Sequence, residues 1–231
     1  MRDRVNKLLS LIFALSIVVL TITFSIGLPI YVRPFYYAHV DALGMAERWG
    51  VKREQIIEAY DELLDFLTVD GKEFGVGFLA YSEEGKGHFE DCKVLFDLNR
   101  NAFIVSLVLL VGIFILHKRG IIELKRPYGK PLSFYSGIGT LSFFTILGIS
   151  VMVDFVATFT VFHKIFFSGK TNWKFNPYKD PIILLLPRQF FMNCAILICS
   201  SIVIISLLLI IRGIRLNKHN KKENRQNDHE G

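Results

Sequence analysis

Apolar residues in this chain gather into four long runs, at 8–30, 102–116, 134–162 and 190–211. A helix needs roughly 20 apolar residues to cross a hydrocarbon core of about 30 Å. The first, third and fourth runs meet that length as they stand. The second is short, and Phe96, Leu98, Asn99 and Arg100 extend it at its N-terminal end. The third is too long for one straight crossing, because roughly 30 helical residues rise about 45 Å. Its last part, around 154–167, is therefore expected to emerge into the interface, or the helix to tilt or bend. The first run comes after Arg2, Arg4 and Lys7, as a secretory signal would. It is long, however, and ends in SIGLPIYVRP with no small-x-small cleavage site, so an uncleaved span is expected. The pattern predicts an all-α membrane protein, with four transmembrane helices and a small, mainly helical extracytoplasmic cap.

The cap is the segment 31–100, inserted between the first two spans. Within it, Ile56, Ile57, Tyr60, Leu63, Leu64 and Leu67 recur at helical spacing, with Glu54, Glu58, Asp61, Glu62 and Asp65 between them. This predicts an amphipathic helix over 52–67 whose apolar stripe packs on the tops of the spans. Glycines at 71, 75, 77, 85 and 87 interrupt the next stretch of chain, so FGVGFLAY reads as an extended or loop segment. A helix is expected to restart near Gly87 and run into the second span. On it His88, Asp91, Cys92 and Leu95 share one face, which places Asp91 to accept from an imidazole nitrogen of His88 and fix its tautomer. The loop at 169–187 has two prolines bracketing an apolar run and reads as a re-entrant or interface-lying segment, with Trp173 and Tyr178 suited to the headgroup level.

Charge orients these spans. Arg2, Arg4 and Lys7 precede the first. Lys118, Arg119, Lys125, Arg126 and Lys130 lie between the second and third, and Arg212, Arg215, Lys218, Lys221, Lys222 and Arg225 come after the fourth. Four spans put all three groups on one side, which the positive-inside rule makes cytoplasmic. The cap, rich in Asp and Glu, then faces out. The other outer loop, 164–189, is basic and runs against the pattern, although its lysines can meet anionic lipid headgroups. The net charge of +6 is thus mostly flanking charge, not a nucleic-acid signature. The chain is expected to be one integral membrane domain over 1–231, with a polar, unpatterned and disordered cytoplasmic tail at 213–231. Its three cysteines, Cys92, Cys194 and Cys199, show no disulfide spacing, and the last two read as small apolar fillers within the fourth span.

The topology brings two histidines to one surface: His88 before the second span and His163 at the far end of the third run. Imidazole takes and gives protons near neutral pH, so a shared surface suggests an active site at the interface. The plainer readings are a surface histidine beside two acids for His88 and an aromatic-belt residue at a span end for His163. A zinc site built on both with Asp91 or Glu90 lacks HExxH or CxxC spacing. Cys92 lies one turn from His88, where a thiolate–imidazole pair competes with simple helix packing as the explanation. Asp154 is costly in an apolar run unless it faces protein or water. Nine residues turn about 900°, which puts it on the face opposite His163. It is expected to cap, to pair elsewhere (with Arg188 as one partner), or to mark where the helix emerges. No GxSxG, Walker or dinucleotide pattern is present.

Three segments carry a resemblance: ELLDFL, GHFEDCKVLF, and FHKIFFSGKTNWKFNPYKDPIILLLPRQFF. Together they resemble the bacterial lipoprotein intramolecular transacylase family over nearly the whole chain apart from the tail. The third segment, with FH-x-IFF, W-x-F-x-P, Asp-Pro and P-x-x-FF, is the most specific. Cys92 departs from the pattern, where an aliphatic residue is expected, and this weighs against a cysteine nucleophile. The resemblance implies transfer of an acyl chain from the sn-2 oxygen of a lipoprotein's diacylglyceryl group to the α-amine of its N-terminal cysteine, giving the lyso-form found in Gram-positive bacteria. It implies His88 and His163 as the catalytic pair. Asp91, Lys93, Trp173 and Asp180, which fall in the same motifs, are supporting candidates. The implied partners are a diacylated lipoprotein substrate and membrane lipid, in a bacterial cell membrane, with no metal, cofactor or nucleic acid. Two rival functions remain at this level: a non-catalytic module binding lipid or a partner through its cap, and an acyltransferase working between separate molecules.

Overall fold

The computed structural model describes residues 1–230, with side chains described through Leu216. The described residues form helices joined by turns and loops, with no strand. Helix α1 is Arg2–Tyr31, α2 Arg33–Ala42, α3 Met45–Trp49, α4 Arg53–Thr68, α5 Glu83–Lys118, α6 Leu132–Val153, α7 Phe155–Phe166, α8 Ile182–Leu185 and α9 Arg188–Glu230. Four helices are long and apolar enough to span: Arg2–Tyr31, Glu83–Lys118, Leu132–Val153 and Arg188–Leu216. The expected disordered tail, 213–231, falls mainly outside the described side chains, and Gly231 outside the described residues altogether.

The chain divides into two compact units. The first comprises Met1–Ser25, Asn101–Leu147 and Cys199–Gly231. It holds the most apolar stretches, and side chains such as Val105, Val108, Phe143, Ile146, Ile204 and Leu208 point outward, as lipid-facing positions require. Its interior uses small polar groups that satisfy one another. Ser136 Oγ donates to the Ala14 carbonyl at 2.9 Å, while Ser10 Oγ donates to the Asn6 carbonyl at 2.7 Å and accepts from the Lys125 N–H at 2.9 Å. Such bonds remove the cost of a bare hydroxyl in apolar surroundings.

The second unit comprises Ile26–Arg100 and Gly148–Ile198. Segment 31–100 therefore shares its core with the stretch after Gly148. The amphipathic helix appears as α4, which buries Ile56, Ala59, Tyr60, Leu63, Leu64, Phe66 and Leu67. Tyr60 stacks on Tyr36 at 3.6 Å between ring centroids, and the edge of Phe190 meets Tyr36 at 5.1 Å. The Tyr36 hydroxyl donates to the Leu185 carbonyl at 2.7 Å, so its polar end is satisfied inside the core. Outside, Arg33 pairs with Asp61 and Asp65, and Arg100 with Asp70 and Asp97.

Two boundaries fall by capping chemistry. The third apolar run breaks at Asp154, whose backbone is extended and whose Oδ1 accepts from the Ala157 N–H at 2.9 Å. This N-cap starts α7 as a separate helix, the bend that excess length demanded. Arg188 does not supply the expected pairing; its guanidinium lies over the Phe155 ring, 5.9 Å from the centroid. The helix carrying His88 starts at Glu83, four residues before the expected restart at Gly87, because Ser82 caps it: Ser82 Oγ accepts from the Gly85 N–H at 3.0 Å. Gly85 belongs to that start, since a Cβ there would collide with the Asp180 carboxylate.

Candidate active site

His88 lies in the second turn of α5 and His163 in the last turn of α7. Their rings face each other nearly in parallel, 5.9 Å between centroids and 28° between planes. Aromatic rings enclose the pair. Phe167 sits 4.9 Å from His88 and 5.5 Å from His163. Phe175 meets His88 edge-on at 5.4 Å, Trp173 lies 5.0 Å from His163, and Phe159 only 4.1 Å from it. His88 is 5% exposed and His163 7%.

The hydrogen bonds differentiate the two imidazoles. His163 Nδ1 is 2.7 Å from the Phe159 carbonyl oxygen, which can only accept. Nδ1 therefore carries the proton and Nε2 keeps the lone pair. His88 Nε2 lies 3.4 Å from Cys92 Sγ, and its Nδ1 is buried without a partner. A buried polar atom left open costs stability unless something else meets it, and at a site of this kind the candidate is substrate.

Both rings are held neutral. The charged first half of α5 precedes its apolar span, so His88 lies outside the spanning stretch. Burial lowers its pKa first, the neighbouring His163 lowers it further, and Asp91 opposes only in part. Burial likewise lowers the pKa of His163 against the opposing bond to Phe159. A neutral imidazole is what a general base must be before it acts.

The supporting candidates separate. Trp173 does wall His163, with its Nε1–H donating to the Lys170 carbonyl at 3.1 Å. Asp91 does not orient His88. Its carboxylate instead holds Lys170 by an ion pair and accepts from Asn172 Nδ2 at 3.1 Å. These partners lie some 80 positions away, and only the fold could reveal them. Lys93 turns away from the histidines: its Nζ donates to the Phe66 and Val69 carbonyls at 2.5 and 3.3 Å, capping the end of α4. Asp180 touches neither imidazole. It accepts from Ser82 N–H at 2.7 Å and from Ser82 O–H at 2.8 Å, so it anchors the start of α5. Ser82 is an anchor of the helix carrying His88 that the motifs do not mark, although a serine before two glutamates is the local pattern of a helix cap. Among the described residues no group of three or more His, Cys, Asp or Glu could hold a metal ion.

The profile of the family described as lipoprotein intramolecular transacylase Lit matches residues 11–191. The chain belongs to the Lit family. Among solved structures it is similar to the membrane-integral Lit of Bacillus cereus, at 25% identity and a TM-score of 0.84 over 95% of this chain and 99% of that one. Two structures of the same protein with one histidine replaced, by arginine or by alanine, match at 24% identity with TM-scores of 0.76 and 0.75. No curated protein matches. The Lit-family membership agrees with the resemblance carried by the motifs around His88 and His163.

Burial raises the pKa of the Cys92 thiol first, and Asp91 raises it further, so the neutral S–H is favoured over the nucleophilic thiolate. Cys92→Ala is accordingly expected to retain most acyl-transfer activity in a reporter conversion assay. Loss of activity, together with a thioester adduct on Cys92 by mass spectrometry, would establish a different, covalent mechanism.

Proposed function

We propose that this chain is a membrane acyltransferase that works within one lipoprotein molecule. It moves the acyl chain from the sn-2 oxygen of the diacylglyceryl group to the α-amine of the N-terminal cysteine. The observation that carries this reading is the pair of neutral imidazoles from different helices, face to face in an aromatic enclosure. In the reaction a nitrogen–acyl bond forms, the ester carbon–oxygen bond breaks, and one proton passes from the amine to the glycerol oxygen. His163 offers Nε2 as base, since its Nδ1–H is committed to Phe159. A depressed pKa makes the resulting imidazolium a good acid, ready to protonate the departing oxygen. His88 leaves Nδ1 without a protein partner, so a proton there can be donated to the developing oxyanion at the same centre. Both reacting groups belong to one substrate, so proximity supplies much of the rate.

Mass spectrometry of lipoprotein N-termini from cells with and without this chain tests the reading. The expected result is N-acyl, lyso-glyceryl cysteine only when the chain is present. Unchanged N-termini would leave a lipid- or partner-binding module, and dependence on a phospholipid donor would mean transfer between molecules.

The substrate's place in the outer leaflet sets a topology, which the charge pattern supports: both termini cytoplasmic, the histidines and segment 31–100 outside. Single cysteines introduced near Asp61 are expected to label from outside, and those near Lys222 only after permeabilisation. Labelling near Asp61 from the inside alone would separate the histidines from their substrate.

A further inference from the structure

Both imidazoles are nearly sealed, yet the proposed reaction needs a carbonyl carbon with three heavy substituents beside them. An imidazole nitrogen takes and gives its proton in the plane of its ring, so a reacting group must reach the ring edge. His88 is only 5% exposed and His163 7%. Some part of the enclosure must therefore move before substrate can enter.

The stretch after α7 is built to do so. Phe167 is buried at one end, and Phe175 packs against the apolar core at the other. Between them, residues 168–171 and Lys174 are exposed, and Asn172 and Trp173 half-buried. The backbone here makes short turns instead of helix, with the Lys170 N–H bonded to the Phe167 carbonyl and the Lys174 N–H to the Thr171 carbonyl. Gly169 takes φ +76°, a conformation that costs glycine nothing and lets the chain leave the helix sharply. This stretch places Trp173 over His163. Side-chain bonds tie its middle to α5 at one residue, Asp91, which grips Lys170 and Asn172. Asp91 lies one turn beyond His88 on the same helix.

We propose that residues 168–174 form a strap that lifts to admit the diacylglyceryl lipopeptide, and that Asp91 is the positioning residue that latches it shut over the histidines. This rests on the transacylase reading for its substrate. Lys170 is 51% exposed in its side chain. The Asp91 side chain is 21% exposed; with its Lys170 partner half in solvent the pair is screened by salt, and a weak latch is what a strap that opens in every catalytic cycle requires. Closed, the strap returns Trp173 to His163 and excludes water from the reacting amine.

The test measures access separately from activity. Purified protein is treated with diethyl pyrocarbonate, and carbethoxylation of each histidine is tracked by peptide mass spectrometry, with His117 as internal reference. In Asp91→Ala the modification of His163 is expected to quicken about fivefold, the size of effect a half-exposed ion pair supports, with His117 unchanged. Conversion of a saturating lipopeptide is expected to fall at the same time, without a rise in KM. The exchanged pair, Asp91→Lys with Lys170→Asp, is expected to restore slow modification and conversion together, which a merely structural role for Asp91 would not do. Unchanged modification in Asp91→Ala, or an exchanged pair that reacts as fast as the single variant, overturns the latch. If Asp91→Ala fails to fold, Lys170→Ala on the exposed side carries the same test with the same two outcomes. The modification requires no substrate, so the latch can fail while acyl transfer stands, and His163→Ala activity decides the latter by itself.

Discussion

Replacing His88 or His163 by alanine is expected to abolish acyl migration while leaving the protein folded in the membrane. Each removes one side of a facing pair whose rings stand 5.9 Å apart. A positioned acid or base typically contributes about 10²–10⁴-fold in rate. If the two imidazoles serve one transition state, the double variant will be little slower than either single one, because groups acting as a unit are not additive. The measurement is the fraction of a reporter lipoprotein converted to the N-acyl lyso-form, with membrane levels determined in parallel. Near-normal conversion by either variant would return that histidine to a packing role. The pH profile gives a second check. Burial lowers both imidazole pKa values, so the neutral forms persist below the ordinary histidine value of about 6.5. Activity that needs both rings neutral should be flat through neutral pH and be lost on the acid side, below that ordinary value, as the rings take up protons. Any stability they contribute through the same shift has the same sign: present above, lost as pH falls. A midpoint at or above the ordinary value would show that the rings are not buried in the working enzyme.

Asp180→Ala is expected to damage both stability and activity, although it touches neither histidine. The carboxylate is 4% exposed and accepts two bonds from Ser82, whose own oxygen caps α5 through the Gly85 N–H. Removing it leaves a Ser82 N–H without its acceptor and loosens the start of the helix that carries His88 six residues on. Losing hydrogen bonds to a buried carboxylate costs about 2–4 kcal/mol, and His88 would lose its fixed position with them. Asp180→Asn keeps an acceptor and should be milder, about 1 kcal/mol. Thermal unfolding of the purified protein, measured beside reporter conversion, checks this. A melting temperature equal to that of the parent in Asp180→Ala would mean that α5 starts without this anchor.

The four spans, the amphipathic helix at α4 and the bend in the third apolar run were legible in the sequence. Each rests on a local quantity: apolar length against bilayer thickness, the 3.6-residue period, and a carboxylate that cannot continue unpaired in an apolar helix. The histidine pair was legible for a related reason, since counting crossings puts His88 and His163 on one surface. The motifs around them also carried the family. What could not be read is which side chains meet. Asp91, three residues from His88, was the natural orienter by helical spacing, yet its carboxylate finds Lys170 and Asn172. Lys93, beside the site in sequence, reaches the end of α4, and Asp180 anchors Ser82 from 98 positions away.

Sequence alone therefore determined the elements, their membrane class and the chemistry available, because a bilayer imposes length and polarity on each segment independently of its neighbours. Only the tertiary structure decided that His163 gives its Nδ1–H to Phe159, that His88 Nδ1 is left open, and that Trp173 packs on His163 and Phe175 on His88. Those facts depend on distances between residues far apart in the chain, and the periodicity of a single helix holds no record of what packs against it.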